Sequence, residues 1–276
     1  MTQTDLTLQA AARIAGHVRE LRKLYPTGLG DLKVLRASRG QKPAFEWPDW
    51  CWLPMGAAAT IVQQRGLRHL ADAARLAAVG QWKLHSRSIV IPSAEVVRSA
   101  EPGIPGYFHD VDTMEMAIPR DRLLAELGAA CHYLVTPFSM PVEHTGSWLY
   151  GSYIHLEYDK DAGRTELRLL LDFGTGWDGL YPVFTHADQP SLLWSAHDIV
   201  SSITDDLAHL PRAAESFAET MRTYTWLAWP LVGSLLDEHA VLIGPSLLGD
   251  ESLDVMVRGA RVWALTHDHD EGLPLP

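Results

Sequence analysis

The stretch GSYIHLEYDKDAGRTELRLLLDF, residues 151–173, carries the clearest secondary-structure signal in the chain. Apolar and polar residues alternate in both of its halves, which is the pattern of a strand with one face against a core. The apolar positions are Ile154, Leu156 and Tyr158 in the first half, and Leu167, Leu169, Leu171 and Phe173 in the second. With Ala162-Gly163 as the turn, the segment predicts an antiparallel β-hairpin.

The register of this hairpin follows if both apolar sets share one face of the sheet. Tyr158 then pairs with Leu167, and the remaining apolar residues pair in step. The same register puts Glu157 opposite Arg168, which is a favourable cross-strand pair.

Helical and strand patterns occur on both sides of the hairpin. Apolar spacing predicts helices over residues 6–24, 55–78 (broken near Gly66), 121–131 and 197–209, and another that starts at Pro211 and includes Phe217, Met221 and Tyr224. Strands are expected over residues 86–92, 191–195, 240–243 and 255–265, and an extended or irregular segment over 31–46. This order favours one α+β domain over residues 1–265, with a mostly antiparallel sheet and amphipathic helices. Residues 266–276 are expected to form a flexible tail.

Composition excludes several classes of protein. The 276 residues are 47% hydrophobic with a formal charge of −11, which is ordinary for a soluble globular protein. No apolar run is long enough for a membrane helix, and the first residues lack a secretory signal pattern, so we expect a cytoplasmic location. The acidic charge argues against nucleic acid and favours a basic protein as the partner.

A second notable stretch is EWPDWCWLPMGAAATIV, residues 46–62, in which three tryptophans surround one of only two cysteines. A thiol at the start of a helix has its thiolate favoured by the helix dipole. Cys51-Trp52 before a helix of small residues resembles the nucleophile segment of papain-like and transglutaminase-like proteins. That resemblance implies a histidine and an Asp or Asn on later strands, although Pro54 departs from the family pattern.

The hairpin offers one such pair of residues. In the expected register His155 faces Leu170, and Asp172 is its diagonal neighbour on the polar face. Cys51, His155 and Asp172 would then act as nucleophile, base and orienting group. The alternative interpretation is a buried thiol among aromatic rings and a solvated polar face of the hairpin.

Tryptophan is unusually frequent, with ten in the chain. Trp47, Trp50 and Trp52 form one cluster, and Trp226 and Trp229 flank a predicted helix end. Such rings either pack in a core or form a hot-spot surface for a partner. The sequence therefore predicts a partner-binding surface at these five tryptophans, beside the alternative of core packing.

Two further motifs carry weaker chemical signals. His109, Asp110 and Asp112 follow a loop-like segment and could bind a metal, but the spacing also suits turns. The loop Gly174–Gly179 could bind an anion through its backbone, or simply turn the chain after a strand. The sequence predicts no cofactor and no metal.

Taken together, these observations favour a non-enzymatic cytoplasmic protein that binds another protein through an aromatic-lined surface. An accessory factor, an inhibitor or an assembly factor of a bacterial cell would fit. The alternative is a cysteine-dependent hydrolase or acyl transferase that uses Cys51, His155 and Asp172.

Overall fold

The structure is a computed structural model that describes residues 2–66, 71–100, 118–137, 148–161, 163–174, 176–186, 191–192, 228, 231–247 and 254–268. Its α-helices are α1 (Gln3–Leu24), α2 (Gly28–Ala37), α3 (Met55–Gln64), α4 (Asp72–Gln81), α5 (Ala94–Ala100) and α6 (Arg120–Glu126). Residues 231–236 are also helical. Shorter turns of helix are Pro43–Phe45 and Gly176–Gly179, both 3₁₀, and the π-helix Trp82–Ser86.

Seven strands form one mixed sheet: β1 (Ser88–Pro92), β3 (Cys131–Val135), β4 (Gly151–Asp159), β5 (Arg164–Asp172), β6 (Leu180–His186), β8 (Ala240–Leu247) and β9 (Arg261–His267). Their order across the sheet is β6-β5-β4-β3-β1-β9-β8. Two short strands, β2 (Ile118–Pro119) and β7 (Ser191–Leu192), pair separately. The combination of helices and a sheet confirms the α+β class.

The sheet is less antiparallel than the sequence suggested. β1 runs parallel to both of its neighbours, β3 and β9, while the other pairings of the large sheet are antiparallel. Parallel neighbours need a long crossover connection, and α5 and α6 lie between β1 and β3 in the chain. The predicted hairpin covers only the antiparallel side, which is why the parallel centre was not foreseen.

The hairpin β4–β5 is confirmed, but its predicted register is wrong by two residues. Leu156 pairs with Leu167, and the last pair is Asp159 with Arg164, so the connection spans residues 160–163. The Asp161 amide donates to the Asp159 carboxylate at 3.0 Å, and Gly163 closes the turn at φ +67°. A slip of two residues keeps every side chain on its face, so the apolar pattern could not distinguish the two registers.

Helices cover both faces of the sheet. α1 to α4 and the segment 47–53 pack on one face, and α5, α6 and the segment 231–236 pack on the other. The polar face of the hairpin is therefore buried beneath the first set of helices. The alternative interpretation of the sequence, in which this face is solvated, is wrong on this point. His155, Glu157, Arg168 and Asp172 are each less than a tenth exposed.

The first helix forms where its sequence predicts it. Thr2 caps α1 by accepting from the Asp5 amide at 3.1 Å, while the Asp5 carboxylate accepts from the Thr2 amide at 2.9 Å. Ile14 and Val18 on its apolar face are fully buried, whereas Leu8 near its start is 47% exposed. The break between α3 and α4 also follows the predicted interruption near Gly66.

The second helix was missed. Residues 31–46 were expected to be extended or irregular, but α2 occupies much of this region. Its two glycines lower local helix propensity, so the helix depends on tertiary packing. Leu32 is fully buried against Gly80 of α4, where an added Cβ would lie 2.3 Å from the leucine methyl carbon.

Near the end of the chain, β9 starts later than the predicted 255–265 strand and runs to His267. The division into a domain over 1–265 and a tail over 266–276 stays a prediction. The predicted helices over 197–224 lie outside the described residues.

Within the part of the chain that the structure describes, no helix is long and apolar enough to cross a membrane.

Candidate functional site

Cys51 lies inside the molecule, with no exposed surface. Its amide donates to the Pro48 carbonyl at 3.1 Å, and its own carbonyl accepts from the Trp47 indole at 3.1 Å. The Arg36 guanidinium donates to the same carbonyl at 3.4 Å. These bonds tie the segment around Cys51 into a compact turn four residues before α3.

The surroundings of this thiol oppose ionisation. Burial, and next the nearby charge of Glu157, raise the pKa of Cys51 to about 12. Cys131 is also buried, and burial raises the pKa of its thiol as well. A nucleophilic cysteine requires the opposite shift, because the thiolate is the reactive form.

We expect native Cys51 to react very slowly with iodoacetamide. A rise in pKa from 9.0 to about 12 lowers the thiolate fraction at neutral pH by about a thousandfold, before burial hinders access. The measurement is mass-spectrometric labelling of a Cys131→Ser variant, which leaves Cys51 as the one thiol in the chain. The urea-unfolded variant serves as the control and should label readily. Rapid stoichiometric labelling of the folded variant would contradict the interpretation of Cys51 as a buried, protonated thiol.

Asp172 lies in a buried network beneath α1. Arg13 binds its carboxylate through two nitrogens, at 2.5 and 2.8 Å, and the Tyr133 hydroxyl donates to it at 2.8 Å. The His17 ring lies 3.6 Å away and also contacts the Tyr153 hydroxyl at 3.0 Å. Burial acts against ionisation, but His17 and Arg13 outweigh it and hold the pKa of Asp172 well below its usual range.

The observed register therefore separates His155 and Asp172, the predicted base and orienting group. His155 lies opposite Arg168 in the middle of the hairpin, and Asp172 lies opposite Gly151 at its open end. Among the described residues, no hydrogen bond or ion pair joins His155 to Asp172 or to Cys51. The nucleophile arrangement of these three residues stays a prediction, and the described contacts give it no support.

The first tryptophan cluster is divided between the core and the surface. Trp47 and Trp52 are buried at 7% and 6% exposure, whereas Trp50 is half-buried. The Trp52 ring stacks on His85 at 6.4 Å, and Trp50 meets Tyr158 edge-on at 6.1 Å. Trp226 and Trp229 lie outside the described residues. The segment 47–52 thus contacts β4 through Trp50 and the π-helix through Trp52.

Glu157 joins the hairpin to the start of α3. Its carboxylate accepts from the amide of Met55, the first residue of α3, and pairs with Arg168 at 2.7 Å. Arg168 also pairs with Glu166. A buried carboxylate at a helix N-terminus is stabilised by the free amides and the helix dipole. The predicted contact between Glu157 and Arg168 is present, although the two residues are diagonal neighbours.

A cavity of about 600 Å³ opens beside this carboxylate. Its apolar and aromatic lining includes Leu35, Phe45, Trp47, Met55 and Tyr158. The other side carries charged groups: Glu157 and Arg168 are buried, and the hairpin tip contributes Asp159, Lys160 and Asp161. The volume falls within the range of ligand pockets, roughly 300–1,000 Å³.

The hairpin tip is fastened to the opposite rim of the cavity. Lys160 Nζ donates to the carbonyls of Pro43 and Ala44 at 3.0 and 2.6 Å. Phe45 follows these residues directly and lines the cavity. Two chain segments more than a hundred residues apart are held together here, so the cavity is shaped before any partner arrives.

The structure describes the predicted metal-binding and anion-binding candidates only in part. His109, Asp110 and Asp112 lie outside the described residues. In the described part of the chain, no three His, Cys, Asp or Glu side chains are grouped closely enough to hold a metal. Gly174 and Gly176 adopt φ values of +87° and +75°, which explains glycine at both positions.

The Gly174–Gly179 loop is anchored to α4 by buried Arg75. Arg75 donates to the carbonyls of Asp178 and Leu180 at 3.2 and 2.8 Å and pairs with Asp72 at 3.0 Å. The Trp177 indole donates to the same Asp72 carboxylate at 3.0 Å. These contacts give the loop a structural role; whether it also binds an anion stays a prediction.

Sequence reasoning missed most of the residues that surround the cavity. Phe45, Met55, Tyr158 and Lys160 meet only because β4 carries the hairpin tip beneath α3 and the turn at residues 43–45. One signal was present in the sequence: the apolar alternation of β4 ends at Tyr158 and a charged run, DKD, follows. That change marks the point where the strand leaves the core.

Comparisons with known proteins concern the fold. No protein-family model matches the chain, and no curated protein matches it in sequence. Among solved structures, the chain is similar to the one titled "Crystal structure of AcrVA2", with a TM-score of 0.57 and 12% sequence identity. The match covers 92% of this chain and 83% of that chain. The chain therefore shares the fold of AcrVA2 over most of the length of both proteins.

Proposed function

We propose that this chain is a non-enzymatic, inhibitor-like accessory protein that binds another protein through the cavity beside Glu157. The observation that carries the proposal is the preformed cavity itself, lined by aromatic and apolar side chains around a buried charged pair. Clefts with an apolar lining and a few fixed polar groups suit anchoring side chains of a partner.

The structural neighbour supports the same broad role. AcrVA2 is an anti-CRISPR protein. We carry over only the general idea of an inhibitor that binds a protein, and we propose that it acts in the cytoplasm of a bacterial cell. The buried, protonated thiol of Cys51 favours this role over the cysteine-hydrolase alternative.

The lining suggests what part of the partner would enter. Phe45 and Tyr158 offer ring surfaces, and Asp159 and Asp161 add carboxylates to the lining, although that of Asp159 also pairs with Arg164 at 3.4 Å. Because arginine combines a flat, stacking group with a positive charge, an arginine-bearing anchor would fit this mixture. We therefore propose that the partner carries a basic group. Trp47 lines the cavity that would receive it, and Trp50 packs against Tyr158 in the same wall.

We expect that filling the cavity abolishes capture of the partner. Thr60 is exposed on α3 and lines the cavity, so Thr60→Trp would occupy the space without disturbing the core. The matched control is Gln63→Trp, which adds the same ring at an exposed position of the same helix outside the cavity lining. Tagged wild type and both variants are compared by affinity capture from the source cell and quantitative mass spectrometry.

A protein retained by wild type and by Gln63→Trp, but lost with Thr60→Trp, is the expected result. A loss of at least about tenfold in captured protein corresponds to a steric block of an anchoring contact. If no captured protein distinguishes the two tryptophan variants, the cavity is not the binding site.

A further inference from the structure

A group of positive side chains lies at the sheet end where β1 and β9 begin. Arg87 precedes β1, Arg261 begins β9, Lys83 belongs to the π-helix, and Arg22 lies in the last turn of α1. The three arginines are exposed and Lys83 is buried. We call these four residues the basic patch.

The local backbone fixes part of this patch. Arg87 has φ 47° and is the one non-glycine residue with a positive φ in the described part of the chain. Its side chain donates to the carbonyls of Lys83 and Arg258 at 3.1 and 3.4 Å. Arg261 donates to the carbonyl of Ser86 at 2.8 Å. Strained residues and π-helices both concentrate at functional positions, and the carbonyl contacts hold the guanidinium groups in place.

Among the described residues, the charge of the patch is not balanced by carboxylates. None of its four residues forms an ion pair with a carboxylate among the described residues. Two acidic side chains along the flank are already paired, since Asp254 binds Arg19 and Glu20 binds Lys23. Burial, together with the charges of Arg87 and Arg22, lowers the pKa of Lys83 to about 8. Concentrated positive charge is unusual in a protein of net charge −11.

The patch adjoins the proposed binding site. β1, β3 and β9 begin at the sheet end where β4 finishes, because β3 pairs antiparallel with β4 and parallel with β1. Between the two surfaces runs the segment 47–52, with Trp47 in the cavity wall and Trp52 stacked on His85 of the π-helix. A single partner can therefore contact both the cavity and the basic patch.

We propose that the basic patch docks an acidic segment of the same protein partner whose anchor enters the cavity. This inference rests on the proposed function. Carboxylates of a peptide can accept hydrogen bonds from the guanidinium N–H groups that the backbone carbonyls leave free. A nucleic acid fits less well, because a chain with a pI of about 5.6 repels a long polyanion beyond the small area of the patch.

The test uses a fluorescein-labelled oligoglutamate peptide as the probe, with binding followed by fluorescence anisotropy at low ionic strength. Wild type is compared with Arg87→Gln/Arg261→Gln, and with Arg87→Lys/Arg261→Lys, which keeps the charge. The control is Lys33→Gln/Arg65→Gln, which removes two exposed cations elsewhere. Circular dichroism confirms that all variants are folded.

We expect the Gln pair to weaken peptide binding about tenfold, since two charge-assisted contacts are lost. The Lys pair should recover much of that loss and the control should match wild type. An undetectable peptide complex, equal binding by the Gln pair, or tighter binding of a single-stranded oligonucleotide of the same charge would overturn the proposal.

Partner capture separates this inference from the proposed function. A Gln pair that captures the partner as wild type does, while Thr60→Trp does not, overturns the role of the patch and leaves the cavity standing. Loss of capture by the Gln pair with normal capture by Thr60→Trp contradicts the cavity and supports the patch.

Discussion

Replacing Asp172 with alanine is expected to lower the free energy of unfolding by about 4 kcal/mol, because one partner of a buried ion pair is removed. The carboxylate is fully buried and accepts from Arg13 and Tyr133. Without it, the Arg13 charge loses its partner, and the buried Tyr133 hydroxyl loses its acceptor. This is the largest single effect that we expect in the molecule.

Urea unfolding followed by circular dichroism measures this loss. A domain with about 5–15 kcal/mol of stability should still fold after such a change, so the transition remains measurable. Asp49→Ala is the control, because Asp49 is 92% exposed in its pair with Arg39 and should change stability by about 1 kcal/mol or less. A loss for Asp172→Ala as small as that of the control would contradict the buried network.

The second large effect concerns pH and His132. This residue on β3 is buried, and its Nδ1 lies 2.8 Å from the Ser88 hydroxyl of β1. Burial, and then the charge of Arg261, lower the pKa of His132 from 6.5 to about 4 in the folded protein. The unfolded chain therefore takes up a proton at a higher pH than the folded chain does.

The sign of the effect follows from this difference. Stability is fully present above pH 6.5 and falls as the pH drops toward the folded pKa of about 4. Near pH 4.5 the loss from this residue reaches about 3 kcal/mol, at 1.36 kcal/mol for each unit of pKa difference. Below pH 4 it levels off, because both states are then protonated.

A His132→Gln variant should lose much less stability between pH 7 and pH 4.5 than wild type does. Subtracting the two urea titrations cancels the titrations that both proteins share. The exposed His239→Gln serves as the control and should keep the wild-type pH dependence. Identical pH profiles for His132→Gln and wild type would refute the burial of a neutral imidazole.

Local features of the fold could be predicted from the sequence. The alternation in residues 151–173 identified a hairpin, and the apolar spacing of α1 identified a long helix, although its Thr2 cap was not predicted. Both signals arise within one element, where side-chain period and caps act on neighbouring residues. The parallel pairing of β1 with β3 and β9 has no such local signal, since it depends on how distant segments cross.

The candidate site was less predictable for the same reason. Arg13 binds Asp172 across 159 residues, and Lys160 reaches Pro43 and Ala44 across more than a hundred. Neither contact leaves a pattern in either local sequence. Cys51 invited a nucleophilic interpretation because its neighbours resemble a known segment, and only burial distinguishes that interpretation from a thiol enclosed by aromatic rings.

We expect a protein partner to bind at the cavity between α3 and the β4–β5 hairpin. Hydrogen–deuterium exchange of the chain, free and bound to the captured partner, tests this claim most directly. We expect slower amide exchange in the complex over residues 43–60 and 157–161, which surround the cavity. Protection confined to other parts of the chain, with unchanged exchange in both of these segments, would contradict it.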